Sequence, residues 1–382
     1  MPDPAVDLAV PDVATLQRRR SDKWAGWPEG VQALTIAEMD FPLAPAVSAA
    51  LHAAVDRHDL GYAPAAPALL RNAFAGFAAR RLGWTVDPDQ VTLVPDVMAG
   101  LIELCRVLVE PGGIVAFASP AYPPFYRELP EAGVRTLGIP LRPDGSFDLD
   151  RLEQALADGT RVVILANPHN PTGRVLPRVE LEALAALCDL HGAWVLADEI
   201  HAPLVLPGAV HTPWLEVSAA ARRCGFALTS ASKAFNVAGL KAALLVTADA
   251  ATAEQVARLP DLADRAGLLG VVAAEAAFTS GDGWLDEVLA RLDANRALLG
   301  ELLADRLADV SWTPPEGTFL AWLDCRRLGL GDDPARHFLE RGRVALSPGL
   351  DYGPEGAGFV RLNFATSPEL VTAAVDRMAS AI

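Results

Sequence analysis

The chain has 382 residues, 51% of them hydrophobic and 21% charged, and a formal net charge of −16. That length supports a large core and more than one domain, and the acidic balance argues against nucleic acid or an anionic membrane surface as a partner. No apolar stretch reaches the roughly 18–20 residues of a membrane helix, and "RRR" at 18–20 leads into the polar "SDKWAGWPEG" rather than a signal-peptide core.

From about residue 91 to 247, short β-rich runs alternate with helical stretches. The runs are "VTLVP" (91–95), "IVAFASP" (114–120), "VRTLGIP" (134–140), "RVVILAN" (161–167), "AWVLAD" (193–198), "GFALTS" (225–230) and "AALLVT" (242–247). Several are apolar at consecutive positions, as strands buried on both faces should be. Between them lie helical patterns such as 177–192, with proline near its start and glycine just past its end. The alternation predicts an α/β domain with a mostly parallel seven-stranded sheet flanked by helices. A long helical pattern follows at 283–307, then strand-like runs at 318–324 and 359–365 and a helix near 333–342. These predict a smaller α+β domain of residues 1–45 and 279–382 beside a large domain of 46–278. The four cysteines (Cys105, Cys188, Cys224, Cys325) are scattered, with neither metal-ligand spacing nor a disulfide framework. They fit buried thiols of a reduced, cytoplasmic protein.

Ligands of open α/β sheets bind at the carboxyl ends of the strands, and there this sequence places its polar exceptions. "NPHNPTGR" (167–174) follows one apolar run, "DEIHAP" (198–203) a second, and "SASK" (230–233) a third. Asn-Pro pairs alone fit a loop, but a carboxylate at the end of an apolar strand needs a cation or donors. Lys233 has two readings. Either its ammonium reaches water from a short helix, or the amine forms a Schiff base with a carbonyl cofactor, a use to which buried lysine is suited.

"NPHNPTGR", "DEIH" and "SASKAFNVAGLK" in this order resemble the fold-type-I enzymes that use pyridoxal 5′-phosphate (PLP), the aminotransferase superfamily. "IAEMDFPLAP" (36–45), "GYAP" (61–64), "SPAYPPF" (119–125), "DEIHAPLVLPG" (198–208), "EGTFLAWLDCR" (316–326) and "FVRLNFA" (359–365) resemble its cystathionine β-lyase-like C–S lyases. The resemblance implies roles. Lys233 would bond the cofactor and then serve as the Cα base, Asp198 would pair with the pyridine nitrogen, Asn170 with the phenolic oxygen, and Tyr122 would stack on the ring. The phosphate would be held by the amides near Val97 and Met98, by Ser230 and Lys241, and by Tyr62 of a second subunit, making the protein a homodimer with shared sites. Arg361 would hold the carboxylate of an amino-acid substrate, with Asn363 and Trp322 as pocket candidates, although core packing explains Trp322 equally well.

Asp96 stands where glycine is common in these enzymes. It suits a helix N-cap, and its carboxylate is expected to face away from the phosphate. Lys241 replaces a frequent arginine, and Glu38 stands where these lyases often have Asp. His169 and His201 read as supporting or packing residues, and Glu199 is the acid nearest to Asp198. The function implied is a PLP-dependent C–S β-lyase acting on cystathionine or a cysteine S-conjugate, giving thiol, pyruvate and ammonia. An aminotransferase is the alternative, because the groups around the cofactor are common to both. A PLP-binding regulator without turnover is a third reading, and the absence of room for a DNA-binding segment speaks against it.

Overall fold

A computed structural model describes residues 8–382 of the protein. All seven expected runs form strands of one sheet: β2 (Val91–Val94), β3 (Ile114–Ser119), β4 (Arg135–Pro140), β5 (Val162–Ala166), β6 (Trp194–Asp198), β7 (Gly225–Thr229) and β8 (Ala243–Val246). They lie in the order β2-β8-β7-β6-β5-β3-β4. Only β8 runs against its neighbours. Apolar runs with no alternation are explained by burial on both faces. Val163, Leu165, Val195 and Ala197 enter one core cluster, while Val162, Ile164, Leu196 and Phe226 enter another on the opposite face.

This order sets the site. β5, β6 and β7 are adjacent and parallel, with Ala166 level with Asp198 and Asp198 level with Leu228. Their carboxyl ends therefore deliver Asn167, Asp198 and Ser230 to one edge. β8 begins at that edge because it runs the other way, which puts Lys241 beside them. Gly225 starts β7 beneath an indole. A Cβ there would lie 1.9 Å from Trp214 Nε1 and 2.4 Å from the Ala221 carbonyl, so only glycine fits.

The rest of the chain builds a second sheet. β9 (Ser311–Trp312), β10 (Leu320–Asp324), β12 (Ser347–Pro348) and β13 (Phe359–Asn363) form an antiparallel sheet in the order β12-β13-β10-β9. The N-terminal β1 (Gln32–Ala33) pairs in parallel with β11 (Val344–Ala345). The predicted long helix spans Asp282–Arg306, and its buried Asn295 donates to the carbonyls of Phe364 (2.9 Å) and Thr366 (2.8 Å). That bond pair holds the end of β13, and with it Arg361, against the helix.

Candidate active site

A cavity of about 230 Å³ opens at the carboxyl edge of the large sheet, lined by Val97, Met98, Tyr122, Asn170, Asp198, Ser230, Lys233 and Lys241 among others. Eight of the side chains singled out from the sequence thus meet in one space. A wider cleft of about 700 Å³ lies between β3 and the second sheet, and it holds neither Lys233 nor Asp198. The smaller cavity is therefore the chemically equipped one.

Lys233 sits in the short helix Ala231–Ala234, which Ser230 caps. The Ser230 hydroxyl accepts from the Ser232 amide (3.0 Å) and donates to the Ala242 carbonyl (2.7 Å), tying the helix to the start of β8. The Lys233 amine donates to the Ala37 carbonyl at 3.0 Å. Burial and the Arg361 charge bring its pKa down to about 8, against the pull of Asp198 and Glu38. At pH 7 a larger share of the amine is therefore neutral than in an ordinary lysine.

Asp198 ends β6, and burial pushes its carboxyl up to about 6, with the Ile200 amide (3.2 Å) and Lys233 acting in the opposite sense. Glu199 faces elsewhere. Its Oε1 accepts from the Trp214 amide at 2.6 Å and lies 3.4 Å from His211 Nε2. Asn167 packs beside that pair, its Oδ1 accepting from the Leu176 amide at 3.0 Å. Burial raises the Tyr122 hydroxyl to about 12, so the ring stays neutral.

The phosphate end differs from expectation. Asp96 does cap the helix Val97–Leu108, accepting from the Ala99 amide at 2.8 Å. Its carboxylate does not turn away, however: it lines the cavity, and Oδ2 takes the Lys241 ammonium at 2.7 Å. The physical reason is local. Lys241 is the nearest cation, and the cap geometry leaves the second oxygen pointing at it. Glu128 lines the same wall, its carboxyl raised by burial and by Asp96.

Arg361 lies on β13, is 3% exposed, and among the described residues has only neutral oxygen partners: Asn170 Oδ1 (3.1 Å), Ser347 Oγ (3.3 Å) and the Thr35 carbonyl (3.5 Å). Its Nε has no partner, and the guanidinium lies over the Tyr352 ring at 5.1 Å. A buried guanidinium without a carboxylate is a receptor for one.

Three expectations need correction or extension. Asn363 does not face the cavity; its amide donates to the carbonyls of Ile36 and Glu38, both at 2.7 Å, and its Oδ1 accepts from the Ala365 amide. Trp322 stacks on Phe359 (5.2 Å, 12°) and lines the wider cleft, so packing accounts for it. Tyr62 is 94% exposed and lies in a separate surface cleft beside Asp261 and Arg265, so this chain does not bring it to its own Lys233. Of the two histidines, His169 bonds Thr172 at 2.8 Å, whereas His201 lines the cavity; burial pushes both down, to about 4 and about 3. The presence of His201 on that wall was foreshadowed only by its place three residues after Asp198. Ala37 also lines it, with no signal in sequence beyond its place in "IAEMDF".

The residues fit PLP. An amine of lowered pKa, a buried carboxyl and a neutral aromatic ring share one cavity, and the first amides of a helix, which have no internal partners, lie at its end. The comparison with known proteins agrees. The model of the family "Aminotransferase class I and II" matches residues 30–378. The chain belongs to that family. A Mycobacterium leprae protein described provisionally as a cystathionine beta-lyase is 41% identical over 393 residues, covering 97% of this chain and 96% of the relative. The cystathionine beta-lyase of Corynebacterium glutamicum is 35% identical over 380 residues, 98% of this chain and 100% of the relative. Among solved structures, a Corynebacterium diphtheriae protein described provisionally as a PLP-dependent beta-cystathionase superposes with a TM-score of 0.93 at 37% identity, covering 98% of this chain and 99% of the other. The family's α/β fold, with its mostly parallel sheet, is the fold of this chain.

Proposed function

We propose that the protein is a PLP-dependent carbon–sulfur β-lyase that cleaves cystathionine or a related cysteine S-conjugate to thiol, pyruvate and ammonia. The observation that carries the reading is Lys233, a buried amine with its pKa brought to about 8, in one cavity with Asp198, Tyr122 and Asn170. The names of the relatives above supply the leaving-group chemistry.

PLP held there by Lys233 supplies an electron sink for the substrate's Cα. The chain's own groups do the rest. Asp198 would place its negative charge beside the ring nitrogen and keep it protonated, Asn170 would hold the ring's oxygen, and Tyr122 its face. The Val97 and Met98 amides and the Lys241 ammonium would hold the phosphate, and Ser230 would join them by turning its hydroxyl from the Ala242 carbonyl. Arg361 takes the substrate carboxylate in its fork and so orients the Cα proton. The Lys233 amine, when free of the cofactor, would accept that proton and return one to the departing sulfur.

A second copy of the chain completes the site through Tyr62, whose ring is 94% exposed in a stretch that also exposes Leu60 and Leu69. The division that suits this reading places the cofactor on residues 46–278, with 1–45 and 279–382 as the smaller domain; pairing of β1 with β11 supports it. Four buried, unpaired cysteines suit a cytoplasmic enzyme. Incubation with L-cystathionine and S-substituted cysteines, without a keto acid, tests the function. Sustained, equal release of pyruvate, thiol and ammonia is expected. A single turnover that resumes only with a keto acid, and no thiol, would make the chain an aminotransferase instead.

A further inference from the structure

The chain carries 29 arginines but only three lysines, Lys23, Lys233 and Lys241. Two of them line the cavity. Lys23 does not, yet its side chain is wholly buried, paired with the equally buried Asp40 at 2.9 Å. The other Asp40 oxygen accepts from the Trp24 indole at 2.9 Å. A buried ion pair is costly to desolvate and adds little net stability, so its location asks for a purpose.

What the pair holds is the segment Ile36–Asp40, which belongs to no helix or strand. Each of its five consecutive carbonyls accepts from a side chain elsewhere in the chain. Asn363 reaches Ile36 (2.7 Å), Lys233 reaches Ala37 (3.0 Å), and Lys23 reaches Glu38 (3.1 Å). Asn236 reaches Met39 (2.9 Å) and Arg19 reaches Asp40 (3.0 Å). Asn236 also accepts from the Met39 amide at 2.8 Å, closing a two-bond clamp three residues after Lys233. The strap is therefore laid across the lysine and pinned on either side of the Ala37 carbonyl, by Asn363 at Ile36 and by Lys23, Asn236 and the Lys23–Asp40 pair over residues 38–40.

We infer that Lys23, Asp40 and Asn236 are positioning residues for Lys233: they fix the strap so that the Ala37 carbonyl receives the Lys233 amine whenever that amine is not bonded to the cofactor. A lysine tip on a flexible four-carbon stem is otherwise free to wander. Anchored through one N–H, it keeps its lone pair directed away from the strap. The inference rests on Lys233 being the reactive amine of the proposed lyase.

The test uses the full-length, cofactor-free protein with lysine labelled with 13C at Cε, so that only three lysine signals need assignment and the Lys233 signal is followed by NMR as pH is varied. The charged and titratable groups facing Lys233 are Arg361, Asp198, Glu38 and Lys241, with Tyr122 and His201 on the same wall, and all are retained in the variants. Asn236→Gly removes the clamp at a residue whose φ of +57° already suits glycine. The double variant Lys23→Met/Asp40→Leu removes both members of the buried ion pair, and Arg19, 3.8 Å from Asp40 and partly exposed, keeps its bonds to the Met39 and Asp40 carbonyls. Both should lower the Lys233 midpoint by about half to one pH unit, because the ammonium loses a carbonyl that favours it, and leave Lys241 unmoved. In the holoenzyme kcat should fall about tenfold with KM changed less than about twofold. A folded variant with a lower Tm but a Lys233 midpoint unchanged or raised would overturn the inference and leave the strap a structural clamp. Borohydride labelling of a lysine other than Lys233 would instead overturn the proposed cofactor assignment, and the NMR readout on the strap would stand apart from it.

Discussion

Arg361→Met separates a receptor arginine from a structural one. The wild-type guanidinium is 3% exposed, and its hydrogen bonds to neutral oxygens are 3.1, 3.3 and 3.5 Å long. Bonds from a charged donor contribute about 1.5–3 kcal/mol each at good geometry and less at these lengths, whereas burying an unpaired ion costs several kcal/mol. Without substrate, Arg361 therefore leaves the fold no more stable than methionine would. The variant's Tm should equal the wild type's or exceed it by about 2–4 °C. With substrate the balance reverses, because the fork meets a carboxylate. Losing one partner of a buried charged pair costs about 2–5 kcal/mol, so kcat/KM for L-cystathionine should fall roughly 30- to 5,000-fold. The assay compares L-cystathionine with its decarboxylated amine. Wild type should prefer the amino acid by a similar factor, and the variant should scarcely distinguish them. A Tm lowered by more than about 4 °C, with the preference for the carboxylate kept, would refute the reasoning.

Three other outcomes follow from the geometry. Asp198 is raised to about 6 from the ordinary 3.8, so its charged form is disfavoured in the fold and the cofactor-free wild type loses stability as pH climbs between those values; Asp198→Asn escapes that loss, and should be more stable at pH 7 by up to about 3 kcal/mol, with no difference below pH 4, while turnover of the holoenzyme falls by orders of magnitude. Equal denaturation curves at pH 7 would contradict the buried carboxylate. Asp96→Asn keeps the helix cap but removes a negative charge beside the expected phosphate, so the Kd for PLP, read by absorbance titration, should drop about threefold to tenfold; a weaker Kd would mean that Asp96 serves the site by holding Lys241. Gly225→Ala drives a methyl into Trp214 and should lower Tm by roughly 5 °C or more in thermal unfolding, with an unchanged Tm showing that the indole can move.

The large sheet was readable because burial on both faces turns a strand into an unbroken apolar run, as in Val162–Ala166. The polar residues that end such runs then stand out, and Asp198 and Lys233 are of that kind. Family resemblance supplied Tyr122, Asn170 and Arg361, which no periodicity marks. The strap had no such signal. Its bonds join residues as far apart as Lys233 and Ala37 or Asn363 and Ile36, and only the folded chain brings them together. The same blindness misplaced Asn363, whose amide is spent on backbone carbonyls, and the Asp96 carboxylate, whose direction depends on where Lys241 arrives. Tyr62 stays outside one chain's geometry by its exposure.

β8 runs against the rest of the large sheet, and that reversal shortens the path between two functional positions. A parallel strand would need a long crossover before the chain returned to the same edge. Here the chain leaves β7 at Thr229 and enters β8 at Ala243 without crossing the sheet. Ser230, Lys233 and Lys241 consequently occupy one uninterrupted, largely buried link of the backbone. They form a cassette: residues 225–246 could be grafted onto another sheet of this order as a single piece, carrying amine and cation in their mutual register. An insertion anywhere inside that link would pull the two apart, whereas one in the Gly159–Thr160 turn, outside it, would leave both in place.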